Sequence, residues 1–148
     1  FCGSGNTDDL TNPGEWPFDR QCILRLPEDL GGRLGKCLRE HEEGRAEAEP
    51  ELALRPLASR QQGRPAGRHW EVRAFGEALG GTLVDLPCHV ESHLLLRPQA
   101  PAEQGGGAAY KAADISQMLI VHRGPEPPGA AECLNRQTYE WASGLTPP

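Results

Sequence analysis

The segment His69-Trp70-Glu71-Val72-Arg73-Ala74 alternates apolar and polar residues without a break. Successive side chains of an extended chain point to opposite faces, so Trp70, Val72 and Ala74 share one face and the charged residues share the other. This is a half-buried β-strand, and a strand needs neighbours. Arg20-Gln21-Cys22-Ile23-Leu24-Arg25-Leu26 supplies one, with Cys22, Leu24 and Leu26 on one face and Ile23 on the other. Glu51-Leu52-Ala53-Leu54-Arg55 supplies a second. Gly76, Gly80 and Gly81 punctuate the chain before an apolar stretch, Thr82 to Leu96, in which Pro87 predicts a turn with a strand after it. Tyr110 to Val121 is the last dense apolar segment.

Helical spacing is clear only where Leu30, Leu34, Cys37 and Leu38 recur on one face. Pro27, Glu28 and Asp29 suit the start of a helix over 28–40, and Lys36, Arg39 and His41 suit its end. Gly31, Gly32 and Gly35 weaken it, each by up to about 1 kcal/mol, so packing must hold it. The expected class is mainly β: a small β-barrel or curled sheet with one or two short helices, α+β in a strict count.

Between these segments lie connections rich in the chain's 18 Gly and 14 Pro. Residues 1–19 read as a loosely ordered tail, 20–122 as the core domain, 123–138 as a Gly/Pro-rich loop and 139–148 as a closing segment of the same domain. At 148 residues the chain can bury one modest core. No apolar run approaches the roughly 18 residues of a spanning helix, so no membrane association is expected. Phe1 to Trp16 has neither the basic start nor the apolar centre of a secretory signal, and the chain reads as an excised piece. The five cysteines (Cys2, Cys22, Cys37, Cys88, Cys133) form no CxxC pair, which suggests free thiols in a reducing compartment, several of them core filler. Fifteen Lys and Arg against 21 Asp and Glu give a net charge of −6, which argues against a nucleic-acid surface and for a protein partner. The acidic run Glu42 to Glu51 and the basic run Arg55 to Arg68 read as solvated loops.

Chemistry-bearing residues form no convincing set. Cys88, His89 and His93, with Cys133 or His122 nearby, hold the atoms for zinc, and Cys88 with Asp85 could be drawn as a thiol nucleophile. Neither has the spacing its chemistry needs, and Cys88 reads as a buried thiol beside a turn proline. Gly105-Gly106-Gly107 lacks the Lys-Ser/Thr continuation of a phosphate cradle. Asp85 and Asp114 read as capping or turn acids. No catalytic residue, cofactor or metal is expected. A zinc- or thiol-dependent enzyme using Cys88, His89 and His93 stands as one alternative, a free-standing module binding peptides by strand addition as another.

Four blocks, in order, resemble the N-terminal domain of the TFIID subunit 7 family of TBP-associated factors: Gln21-Cys22-Ile23-Leu24-Arg25-Leu26-Pro27, Leu83 to Ser92, Tyr110 to Leu119, and Tyr139 to Pro148. The resemblance implies a nuclear, non-enzymatic subunit of the general transcription factor TFIID that supports RNA polymerase II preinitiation complex assembly. It further implies a heterodimer with the largest TFIID subunit, formed by interlocked strands, and restraint of that subunit's acetyltransferase activity. Other TBP-associated factors and TBP would be met in the assembled complex. Open strand edges suit completion by a second chain. Candidate core or partner-interface residues are Ile23, Leu24, Leu26, Trp70, Leu83, Val84, Leu86, Tyr110, Ile115, Met118, Leu119 and Trp141, with the aromatics Tyr110 and Trp141 as candidate hot spots.

Overall fold

The computed structural model describes residues 21–45, 51–58, 67–96 and 108–146. The tail expected over 1–19, and much of the loops at 41–50, 56–68 and 98–108, lie outside the described residues. In chain order the elements are β1 (Ile23–Arg25), α1 (Glu28–Glu42), β2 (Leu52–Pro56), β3 (His69–Ala74), β4 (Glu77–Leu96), β5 (Ala108–His122) and α2 (Ala130–Cys133). The strands form one sheet in the order β1-β5-β4-β3-β2. β1 runs parallel to β5, and the remaining neighbours are antiparallel.

The fold is mainly β, as the alternation of apolar residues implies, but the sheet is open rather than closed into a barrel. Closure would require β1 to pair with β2. β1 and β2 instead stand at the two ends of the strand order and are not hydrogen-bonded to each other.

The run Met118 to His122 is buried at every position because β5 is an inner strand and both its faces are covered there. Met118 and Ile120 join Val84, Leu86, Ala130, Cys133 and Trp141 on one side of the sheet. Leu119 and Val121 join Leu30, Val72, Ala74 and Leu79 on the other. The single core expected from chain length is thus two clusters set back to back. α1 closes the second cluster with Leu30, whereas Leu38, on the same apolar stripe, stays exposed. The Arg123 guanidinium anchors the start of α1 by reaching Asp29 at 2.7 and 3.1 Å and Glu77 at 2.6 and 3.0 Å. α2 is a short helix inside the stretch expected to be loop over 123–138, and it brings Ala130 and Cys133 under the first cluster.

β4 departs most from expectation. Gly80, Gly81 and Pro87 do not interrupt it. A Cβ on Gly80 would lie 2.9 Å from Cε1 of the buried His122, and one on Gly81 would lie 3.1 Å from Leu119 and Trp70 side chains, so these glycines admit neighbours rather than make turns. The His122 ring is fixed at both nitrogens: Nδ1–H donates to the Gly124 carbonyl at 2.7 Å, leaving Nε2 to accept from the Thr82 hydroxyl at 3.0 Å. The turn itself is Phe75-Gly76, both with positive φ (52° and 78°), the two-residue pattern that suits a twisted hairpin. At Pro87 the register jumps from Asp85↔Gln117 to Val90↔Ile115, so Leu86 to His89 oppose Ser116 alone. Proline's missing N–H falls where no ladder is made.

Candidate protein interface

Beyond that irregularity β4 and β5 continue as a two-stranded ribbon, paired from Val90↔Ile115 to Leu96↔Ala108. Nothing else in the sheet flanks it. β1 meets β5 only at Met118 to Ile120, and β3 meets β4 only as far as Thr82. Among the described residues, both edges of the ribbon are therefore free. Its apolar residues are uncovered as well: Leu94 and Tyr110, directly opposite each other, are each 58% exposed, and Leu95 is 73% exposed. An isolated two-stranded ribbon is at best marginally stable in water, and exposed apolar strands invite pairing.

The two faces differ. Register places Val90, Ser92 and Leu94 with Ile115, Ala113 and Tyr110 on one face. Val90 packs against the cluster that holds Val84 and Trp141, so this apolar face continues the core outward. The other face carries Glu91, His93, Asp114 and Lys111. Glu91 and Asp114 sit opposite each other, and Lys111 reaches both, at 3.0 and 2.7 Å, while His93 Nε2 lies 3.0 Å from Glu91. Lys111 and, secondarily, His93 hold the Glu91 carboxyl below its ordinary value, and Asp114 and Glu91 raise Lys111.

The root of the ribbon is clamped at Asp85. Arg68 binds its two carboxylate oxygens at 2.8 and 2.7 Å, and Gln117 donates to it at 2.9 Å. The hydrogen bond from Arg68 holds the Asp85 carboxyl below its ordinary value and raises the guanidinium. The Asp85 N–H donates to the Tyr139 carbonyl at 2.8 Å, and the Trp141 N–H donates to the Asp85 carbonyl at 2.9 Å, so residues 139–141 line β4 where β3 has ended. Tyr139, at φ 61°, is fixed by its hydroxyl at 3.0 Å from His69 Nε2 and by Arg68, which lies 5.5 Å from its ring centroid. Asp85 is thus a junction, not the cap or turn acid expected. Arg68, expected in a solvated loop, is instead partly buried in its ion pair with Asp85, whereas Arg55 lies in β2 as expected and is exposed beside Glu71.

The sequence-selected residues separate by position. Val84, Leu86, Met118, Leu119 and Trp141 are buried within this chain. Ile23 packs on the first cluster, and Leu24, Leu26, Trp70 and Leu83 pack on the second, all partly buried. Ile115 is half-buried at the ribbon base, and Tyr110 is exposed near its tip. Leu94 and Leu95 were not among them.

The alternative chemistry is not assembled. Cys88 is exposed on the irregular stretch, not buried beside a turn; His89 is exposed next to it, and His93 is engaged by Glu91. Among the described residues no three His, Cys, Asp or Glu side chains are grouped to hold a metal ion. Cys133 is the one buried thiol of the four described.

Comparison with known proteins agrees with the four sequence blocks. The family described as "TAFII55 protein conserved region" matches residues 18–148. "Transcription initiation factor TFIID subunit 7-like" of Homo sapiens is 35% identical over 99 residues, which is 57% of this chain and 20% of that protein. "Transcription initiation factor TFIID subunit 7" of Mus musculus is 32% identical over 118 residues, 80% of this chain and 28% of that protein. The chain spans less than a third of the length of either relative. Because the family match takes in every strand and both helices of the sheet just described, the chain belongs to the TAFII55 conserved-region family.

Proposed function

We propose that this chain acts as a non-enzymatic transcription initiation module of TFIID in the nucleus, binding the largest TFIID subunit and restraining its acetyltransferase activity. Family membership over residues 18–148 supports the TFIID setting. The observation that carries the binding role is the ribbon. Its apolar face runs on from the core, and among the described residues Leu94 and Tyr110 are uncovered and no strand pairs with either edge. A second chain adding strands there would satisfy the edge backbone groups and bury that face. Trp141 and Met118 contribute indirectly, by fixing the base from which the ribbon projects. Other TBP-associated factors and TBP are partners through the assembled complex.

Co-expression with the central domain of the largest TFIID subunit tests the reading. A stoichiometric complex is expected, lost in Leu94→Asp and Tyr110→Asp variants whose own unfolding midpoints are unchanged. Acetyl transfer to histone by that subunit should fall when the chain is added. A folded chain that ignores the domain, or binds it equally well with both substitutions, refutes the binding role.

A further inference from the structure

Among the described residues no strand pairs with β5 over 108–117 on the side away from β4, and this edge is complementary to itself. Two copies paired antiparallel about an axis between Ala112 and Ala113 set Lys111 opposite Asp114 of the second copy, and Tyr110 opposite its Ile115. In an uninterrupted strand this would fail, because residues three apart point to opposite faces and orient their backbone groups to opposite edges. Here the ribbon carries a second irregularity: Ser92 pairs with Ala113 but His93 pairs with Lys111, leaving Ala112 as an extra residue. Asp114 and Lys111 therefore oppose Glu91 and His93, two positions apart on β4, and share a face, as their 2.7 Å ion pair shows. Tyr110 and Ile115, opposite Leu94 and Val90, share the other. Ala108 of the second copy falls opposite Gln117, one residue short of Met118, where β1 takes the edge. Small side chains, Ala112 and Ala113, sit at the axis.

We propose that the chain forms a two-fold homodimer through antiparallel β5–β5 pairing over residues 108–117, with Lys111–Asp114 pairs on one face and Tyr110–Ile115 pairs on the other. The proposal does not depend on TFIID membership. Because the contact is isologous, each pair occurs twice, and a change at one position acts twice.

Sedimentation velocity of the 148-residue chain over a micromolar concentration series should show a monomer–dimer equilibrium. Lys111→Glu and Asp114→Lys each place two like-charge pairs across the axis and should each weaken the dimer by about tenfold or more. Mixed one to one, the two variants restore opposite charges at both contacts. The introduced carboxylate of one copy meets the introduced ammonium of the other, and the unaltered Asp114 of the first meets the unaltered Lys111 of the second. The mixture should therefore dimerise as the original chain does while neither variant does alone. A chain that stays monomeric across the series overturns the proposal and leaves the edge to another partner. So do variants that dimerise unchanged, or a mixture no stronger than its components. Hydrogen exchange on the unaltered chain gives a reading that needs no variant: raising the concentration should slow exchange at residues 108–117, and slowing elsewhere or nowhere overturns the register. These outcomes leave the co-purification with the largest TFIID subunit, and its failure, separately readable.

Discussion

Replacing Trp141 with alanine and with phenylalanine should give two very different proteins. The indole is wholly enclosed by the cluster of Val84, Met118 and Ile120, while its backbone N–H holds the Asp85 carbonyl. Removing a buried aromatic to alanine costs about 3–5 kcal/mol, a large share of the roughly 5–15 kcal/mol that separates folded from unfolded domains. Phenylalanine is another matter. It gives up two ring carbons, about 1.6 kcal/mol at ~0.8 kcal/mol per buried carbon. It also removes the indole N–H, which has no hydrogen-bond partner among the described residues. Burying such a donor unpaired costs about 1–3 kcal/mol, so its loss offsets most of the missing carbon. Trp141→Phe should therefore fall within about 1 kcal/mol of the original, and Trp141→Ala several kcal/mol below it. Urea unfolding followed by far-ultraviolet circular dichroism measures both without relying on the deleted fluorophore. If phenylalanine proves as damaging as alanine, the indole N–H is hydrogen-bonded and the reasoning fails.

Acid should destabilise the fold through its paired carboxylates. Asp85, Asp29, Glu71, Glu77 and Glu91 all sit below their ordinary values because Arg or Lys side chains donate to them. A depressed carboxylate contributes stability that is fully present above its unfolded-state pKa, 3.8 for Asp85, and is lost as pH falls through the lower folded value. Asp85→Asn should accordingly flatten the fall of the urea midpoint between about pH 5 and pH 2, and an unchanged slope would sink this account. Two glycines should respond with opposite sign to alanine. Gly80→Ala meets the His122 ring at 2.9 Å and should cost about 1–3 kcal/mol, whereas Gly32→Ala in α1 meets nothing within 4 Å and should gain up to about 1 kcal/mol, both read from the urea midpoint. Gains or losses of the same sign at both would contradict the packing described.

What could be read from the sequence was whatever depended on neighbours along the chain. β3 lies where strict alternation puts it, α1 starts where Pro27, Glu28 and Asp29 say it should, β1 falls within 20–26, and β2 matches 51–55 but for a one-residue shift to Pro56. Long-range geometry was hidden. Gly80 and Gly81 look like punctuation until His122, Leu119 and Trp70 are brought against them. Pro87 looks like a turn until the register jump supplies a place where its N–H is not needed. Asp85 gains its role from Arg68, Gln117 and Tyr139, none of them adjacent in sequence. Leu94 and Leu95 carry the composition of a core, and only the pairing limits of β1 and β3 reveal that the core stops before reaching them. The uncovered ribbon was therefore not legible as a place, although Tyr110 and Ile115 within it were picked out from the sequence.

The parallel pairing of β1 with β5 also bears on how the chain is made. Ile23 lies against Met118, about 95 residues later, so β1 cannot take its place in the sheet until β5 has been made. At roughly 5–20 residues per second, the wait is about 5–20 s. Meanwhile β3 and β4, joined by a two-residue turn, can pair as soon as they emerge, and their Val72, Ala74 and Leu79 already offer part of the second cluster to Leu30. Strand pairing can therefore begin in the middle of the chain, and β1 joins the sheet only after β5.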